Sequence, residues 1–593
     1  MCGIAGELAF GGARADHEAV ARMSAVLSDR GPDGDGAWAE GWVALGHRRL
    51  TVIDLSDAGR QPMADADLGL TVVFNGCIYN HQELRRQLSD RYRFSSTSDT
   101  EVVLKAYDRW GEDFVDHLIG MFAVVVVDNR RRRVVMARDR LGIKPLYVAD
   151  LPGRLRFAST LPALLAGGGV DTELDEVALH HYLTWHSIVP APRTILRGVQ
   201  KLPAATVRVV EQDGSRRDRV FWRPDYVRDP DHSGWDAADW RDALGTALRT
   251  SVERRLVADV PVGVLLSGGL DSSLVVALLA ESGQAGLATF SIGFDGAGGE
   301  EGDEFAYSVQ VAEQFGTDHH RLRIGVDRFV PAVGDAVAAM PEPMSSHDVT
   351  AFFLLSQEVS RHVKVVQSGQ GADEVFAGYG YHQPAHAARR SAALEAFVDG
   401  FFDFRHDELG QVLEPGRVPS VDVSREVVAA HLAAPGAQTA LDAVLRLDTH
   451  LLMVDDPVKR LDAMSMAWGL EARVPFLDQD VVALAAACPP ALKVAQGGKG
   501  VLKDIGRQLL PDSLIDRPKG YFPVPALRHL DEPFLTMVRD ALYAPEAKER
   551  ALLRPQFVEA LLSRPNHRRT RTRANTAWVL ATLEMWLQRH EVG

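Results

Sequence analysis

The stretch Val262-Gly263-Val264-Leu265-Leu266-Ser267-Gly268-Gly269-Leu270-Asp271-Ser272-Ser273-Leu274 constrains this chain more than any other. Its short run of Val and Leu reads as a buried strand, and the apolar residues Leu274 to Leu279 read as a helix behind it. A Ser-Gly-Gly turn joins them. Two glycines put no Cβ in the way, so backbone N–H groups can close on an oxyanion. The helix adds unpaired amides and the positive end of its dipole. Such a strand–turn–helix is a phosphate cradle. The Walker pattern would need Gly-Lys-Ser/Thr, and no lysine stands near Ser267. The competing reading is an ordinary Ser/Gly-rich turn.

The 593 residues exceed what a single core holds, so two or three domains are expected. A formal charge of −15 argues against a nucleic-acid surface. Arg130-Arg131-Arg132-Arg133, lying between two apolar runs, reads as a solvated hairpin turn. The three cysteines, Cys2, Cys77 and Cys488, give no disulfide framework and suit a reducing cytosol. No apolar run reaches membrane-span length, and Phe122 to Val127 is only strand-length. No signal peptide is read at the start. A cytoplasmic enzyme with small-molecule substrates, binding neither membrane nor nucleic acid, is the expectation.

Met1-Cys2-Gly3-Ile4-Ala5-Gly6 puts a small residue after the initiator, where methionine removal is expected. Cys2 would then carry a thiol and a free α-amine, whose reference pKa of roughly 8 lets it act as base for that thiol. In order follow Arg30-Gly31-Pro32-Asp33, Gly46-His47-Arg48-Arg49-Leu50, Phe74-Asn75-Gly76, Ser98-Asp99-Thr100-Glu101 and Arg138-Asp139-Arg140-Leu141-Gly142-Ile143-Lys144-Pro145. Together these resemble the glutaminase domain of class II glutamine amidotransferases, which implies an N-terminal nucleophile αββα sandwich. The resemblance implies Cys2 as nucleophile, with Asn75 and Gly76 as the oxyanion hole, for which donors must face the developing charge. It implies Arg49, Val52 and Asp99 as further glutamine contacts: the guanidinium fork of Arg49 for the α-carboxylate, Asp99 for the α-ammonium. Asn75-Gly76 is also a common turn dipeptide. The family commonly has Glu after Asn-Gly, whereas this chain has Cys77.

A Pro/Asp-rich stretch from Arg223 to Gly234 reads as a boundary. The expected division is 2–215 glutaminase, 216–238 linker and 239–590 synthetase. Trp235 to Val257 has helical spacing, Ala288 to Phe294 and His362 to Gln367 read as strands, and the alternation implies a parallel sheet. A second glycine turn, Ser368-Gly369-Gln370-Gly371-Ala372-Asp373-Glu374, follows the later strand. In open parallel sheets ligands sit at the carboxyl ends of strands, so both turns can meet one nucleotide.

This half resembles the ATP-pyrophosphatase domain of the asparagine synthetase family, which implies ATP as substrate with Mg²⁺. Leu266 and Ile292 match positions bordering adenine, Ser267, Gly268, Gly269, Asp271 and Ser272 the pyrophosphate loop, and Ser368 and Gly369 backbone contacts. Asp271 and Asp373 match Mg²⁺-associated carboxylates. Lys499, with Lys503 as competitor, matches a lysine that stabilises charge as the acyl-adenylate forms. Arg517 to Tyr521 offers phosphate contacts or a surface turn. Residues 383 to 440 read as a helical cover over the acceptor pocket. Gln370 stands where the family commonly has Glu.

The resemblance implies a carbon–nitrogen ligase: ammonia from glutamine, AMP and pyrophosphate from ATP, and a closed path between the sites. A homodimer is compatible with it. Within the family, Asn75-Gly76-Cys77, Ser345-Ser346-His347-Asp348 and Asp516-Arg517-Pro518 look like the subgroup amidating N-acetylglutaminylglutamine, an osmolyte precursor. Aspartate, giving asparagine, is the alternative acceptor. His347 and Asp348 lie where acceptor contacts are expected. A stand-alone glutaminase and a lactam-forming enzyme are the rival classes.

Overall fold

The computed structural model describes residues 2–296, 302–517, 524–571 and 573–593. Its first half is built on two six-stranded antiparallel sheets. In one, Gly3–Ala9 runs between Val43–Arg49 and Arg154–Ala158. In the other, Leu70–Ile78 pairs with Gly120–Asp128 over its whole length, with Asn75 opposite Ala123. The strands read as continuous apolar runs because both of their faces are buried. Alternation along them sorts the side chains. Val73, Ala123, Val125 and Val127 meet Ile4, Leu8 and Leu45 in the core between the sheets. Val72, Phe74, Val124 and Val126 meet Val102, Val103 and Tyr107 of the helix Asp99–Trp110 outside. The helix His17–Val26 covers the first sheet. The order is helix, sheet, sheet, helix, as expected for the αββα sandwich.

Arg216–Val220, placed in the linker by composition, is the edge strand of the second sheet, paired with Thr206–Glu211. The Pro/Asp-rich stretch after it carries a 3-10 turn, Pro230–His232, and a single bridge from Tyr226 to Ala437. The helix Ala237–Arg254 then begins with a capping box from Asp236 and Asp239.

The second half carries a five-stranded parallel sheet in the order Asp318–Ile324, Ala288–Phe294, Val262–Leu265, Val365–Gln367, Glu471–Arg473. Of the strand expected from His362, only Val365–Gln367 forms; its neighbours on both sides are in register with these three residues alone. The cradle helix spans Leu270–Glu281, starting four residues before the expected Leu274, with Gly269 as N-cap. Residues 383–440 are largely helical, as read. No helix among the described residues is long and apolar enough to cross a membrane.

Buried ion pairs lock the halves together. Asp462 takes Arg30 Nη2 at 2.9 Å and Lys144 Nζ at 3.0 Å, all three nearly inaccessible to solvent. Lys201 likewise meets Glu342 at 2.9 Å and Asp455 at 2.6 Å. Backbone contacts reinforce them: Asp259 N–H donates to Val52 O at 2.9 Å, and Asp54 N–H donates to Asp259 Oδ2 at 2.8 Å. Removing one partner of a buried pair costs about 3–5 kcal/mol because the other charge stays stranded. Asp462→Ala strands two cations, so thermal unfolding should fall by roughly 5 °C or more; an unchanged transition would refute the locking role.

Candidate functional site

Two pockets gather the residues singled out in the sequence. The first lies at the start of the chain, lined by Cys2, Arg49, Val52, Gly76, Cys77, Asp99 and Glu471 among others. Cys2 directly precedes the strand Gly3–Ala9, and its N–H donates to Asn75 Oδ1 at 3.0 Å. That bond fixes which way the amide faces. Asn75 Nδ2 is buried and has no hydrogen-bond partner among the described residues. An unmet buried donor is costly. Asn75 and Gly76 therefore do not form a turn; they sit inside the strand Leu70–Ile78. Any Cβ at Gly76 would lie 2.2 Å from Met121 O, so the tight pairing of the two strands demands glycine.

Arg49 ends the strand Val43–Arg49, and backbone carbonyls orient its guanidinium: Nη1 donates to Ser56 O at 2.8 Å and Nη2 to Asp54 O. Gly59 leaves room for it, since a Cβ there would lie 2.3 Å from Nη2. Asp99 opens the helix Asp99–Trp110, capped by Ser98, and accepts Ile78 N–H at 3.0 Å. Burial raises the Asp99 carboxyl from its ordinary value, against the pull of His81. Burial also raises the Cys2 thiol, so it needs a base to become nucleophilic. Cys77 is buried and its thiol is raised as well, although Arg473 opposes this. Met1 lies outside the described residues.

The second pocket opens at the carboxyl ends of the parallel strands. It holds a cavity of about 150 Å³ that opens to solvent. Leu266, Ser267, Gly269, Asp271, Ser272, Ile292, Ser368, Gly369, Gln370 and Asp373 all line it. Gly268 does not. With φ at +75° and a Cβ position 2.6 Å from Ser308 N, it makes the turn possible instead. Ser267 N–H donates to Ser272 Oγ at 3.2 Å, and Gly269 N–H to Ser267 Oγ at 3.3 Å, which shape the loop.

Lys499 enters between the two acids: Nζ lies 2.5 Å from Asp271 Oδ2 and 3.0 Å from Asp373 Oδ1. Burial opposes its charge, but the two carboxylates outweigh burial and raise its pKa. Gly378 makes room, since a Cβ there would lie 1.9 Å from Asp373 Oδ1 and 2.4 Å from Lys499 Cε. Lys503 turns elsewhere, to Gln496 O. Two carboxylates converging on one cation at such distances also form a donor set suited to Mg²⁺.

Sequence reasoning passed over several lining residues, among them Glu304 and Phe352. Arg517 pairs with Glu304 at 3.2 Å and covers the Tyr307 ring at 4.3 Å, so it is no surface turn; Pro518 to Tyr521 lie outside the described residues. Beside the pocket, Asp348 meets Arg460 at 3.3 Å, and Arg460 lies 5.9 Å from the Phe352 ring. His347 is held neutral by burial, at about 4. Its Nε2 is 3.4 Å from Arg528, and its buried Nδ1 has no hydrogen-bond partner among the described residues. Residues 455–462 and 469–478, which contain Arg460 and Glu471, also resemble the asparagine synthetase family, but sequence reasoning assigned neither residue a role, because Glu471 meets the first pocket only through long-range packing.

A nucleophile-bearing sandwich joined to a parallel-sheet phosphate cradle defines a glutamine-hydrolysing carbon–nitrogen ligase. The asparagine synthase family model matches residues 243–588 and the glutamine amidotransferase domain model residues 1–222. The chain belongs to the asparagine synthase family. It is 32% identical over 587 residues to a putative asparagine synthetase of Mycobacterium tuberculosis, covering 89% of this chain and 88% of that one. It is 31% identical to asparagine synthetase 3 of Bacillus subtilis (88% and 87% covered) and 31% to asparagine synthetase B of Escherichia coli (84% and 78% covered). Its activity is glutamine-dependent amidation of the asparagine synthase type.

Removing one oxyanion donor typically costs about 10²–10³ in kcat. Asn75→Ala should lower glutamine hydrolysis by roughly that factor while leaving ammonia-driven AMP formation in place. Equal loss of both activities would show that Asn75 only holds the fold.

Proposed function

We propose that ammonia freed from glutamine at Cys2 amidates a carboxylate that the second pocket has adenylated, and that the acceptor is N-acetylglutaminylglutamine. The α-amine of Cys2, exposed by removal of Met1, takes the thiol proton. The thiolate attacks the glutamine carboxamide, and Asn75 Nδ2 with Gly76 N–H receives the oxyanion. Arg49 holds the α-carboxylate and Asp99 the α-ammonium. Ammonia leaves, and water then cleaves the thioester to glutamate.

In the second pocket the acceptor carboxylate attacks the α-phosphorus of ATP, releasing pyrophosphate. Ammonia displaces AMP from the acyl-adenylate. Ser267, Gly269 and Ser272 cradle the pyrophosphate, and Lys499 stabilises charge on the reacting phosphate. Asp271 and Asp373 would hold Mg²⁺, which supplies positive charge to the polyphosphate. A cavity lined by Arg30, Ile143, Lys201, Asp455 and Asp462 lies between the halves, and Arg30 Nε is 3.5 Å from Cys2 O. That cavity is the route we assign to ammonia.

The acceptor reading rests on Gln370, a neutral amide on the pocket wall beside Asp373. An acceptor with a free α-ammonium calls for a carboxylate there; a blocked dipeptide does not. Nearby Arg460 and Arg528 favour an acid, and neutral His347 offers a hydrogen bond to an amide. The names of the relatives favour aspartate as second reading. Incubation with glutamine, MgATP and either N-acetylglutaminylglutamine or aspartate should yield, from the first acceptor, the dipeptide amide with AMP and pyrophosphate in equal amounts. Consumption of aspartate alone would overturn the acceptor choice. Lys499→Met should lower AMP formation about 10²-fold or more while glutamine hydrolysis persists; full AMP formation would remove Lys499 from the chemistry.

A further inference from the structure

Glu471 belongs to the last strand of the C-terminal sheet, yet its side chain walls the N-terminal pocket with Cys2, Arg49, Cys77 and Asp99. It is 1% exposed. Arg473, on the same face two residues later, donates from Nε to Glu471 Oε1 at 2.6 Å. Its Nη1 donates to the carbonyls of Arg255 and Val257 at 2.8 and 2.9 Å, and its Nη2 lies 3.5 Å from Cys77 Sγ. The guanidinium is thus fixed at all three nitrogens, and it holds the carboxylate in place. Burial works against the Glu471 charge, but Arg473, the chain's N-terminal ammonium and Lys144 together outweigh it and bring the carboxyl down to about 2.

A pocket for a zwitterion needs an anion on its ammonium side. Of the two acids on the pocket wall, burial raises Asp99, whereas the cations around Glu471, Arg473 first among them, lower it. Cys77, next to Gly76 in the strand Leu70–Ile78, has its thiol raised by burial and so is neutral.

We propose that Glu471, reaching across from the synthetase half, binds the α-ammonium group of glutamine together with Asp99. The inference rests on the reading of the first pocket as the glutamine site. It makes that site incomplete without the other half of the chain. The same strand also touches the nucleotide loop, because Arg473 O accepts Ser368 N–H at 2.8 Å. Glutamine's anchor and the nucleotide turn are therefore held by one three-residue strand.

Glu471→Gln keeps the shape and removes the charge. Hydrogen bonds to charged groups are worth enough that KM for glutamine should rise roughly 10- to 100-fold, with kcat at saturation changed by about twofold or less. A second substrate separates binding from support of the fold: the glutamine analogue lacking its α-amine. Wild-type protein should favour glutamine strongly over this analogue, and the variant should lose most of that preference. Glu471→Asp, which keeps the charge, should recover part of it, and ammonia-driven AMP formation reports whether each variant is folded. An unchanged KM, or a preference for glutamine retained in Glu471→Gln, would overturn the proposal. So would parallel loss of ammonia-driven synthesis in both variants, since the residue would then only support the interface. Wild-type protein that frees no ammonia from glutamine would overturn the underlying reading as well, and is seen before any variant is made.

Discussion

The buried carboxylate of Asp462, shared between Arg30 and Lys144, is the contact on which the two-site arrangement depends. Three charged groups withdrawn from water are tolerated only in a nearly fixed geometry, since any displacement exposes an uncompensated charge to a low-dielectric interior. The pair of cations holds Asp462 below the ordinary carboxylate range despite its burial. Arg30 also touches Cys2 O, so the register between the halves reaches the residue proposed as nucleophile. Buried ion pairs add little net stability compared with apolar packing, but they discriminate sharply between one docking geometry and its neighbours.

From that fixed docking follow the properties of the first pocket. Its floor is the sandwich: a strand that must carry glycine at 76 to pair tightly, and an amide at 75 whose oxygen accepts the Cys2 N–H and whose N–H₂ has no partner among the described residues. Its lid side comes from the other half, through Glu471 and through Asp259, which binds the backbone at Val52 and Asp54. The second pocket is built inside one sheet. Adjacent parallel strands end in two glycine turns, and the acids that follow these turns share one lysine.

What was legible in the sequence was what local chemistry dictates. Ser267 to Ser272 form a cradle because strand, glycines and helix are contiguous, and the motif order of the first two hundred residues carried the sandwich. Asn75-Gly76 allowed a turn because the dipeptide alone favours one; strand pairing with Ala123 and Phe122 overrides that preference. Arg216–Val220 escaped notice because a short, charged, exposed edge strand has no alternation of apolar residues to reveal it. Glu471 escaped for a different reason. Its stretch, 469–478, resembles the family, but its role arises only when a strand of one half faces a pocket of the other.

The account's central claim is that nitrogen from glutamine meets a carboxylate activated as its adenylate within one molecule. The most direct measurement supplies amide-¹⁵N glutamine, an acceptor labelled with ¹⁸O in its carboxylate, MgATP and a pool of unlabelled ammonium. The account predicts ¹⁵N in the product amide with little dilution from the pool, and one ¹⁸O in the phosphate of AMP. Label in inorganic phosphate alongside ADP, or product nitrogen drawn mainly from the pool, would contradict it.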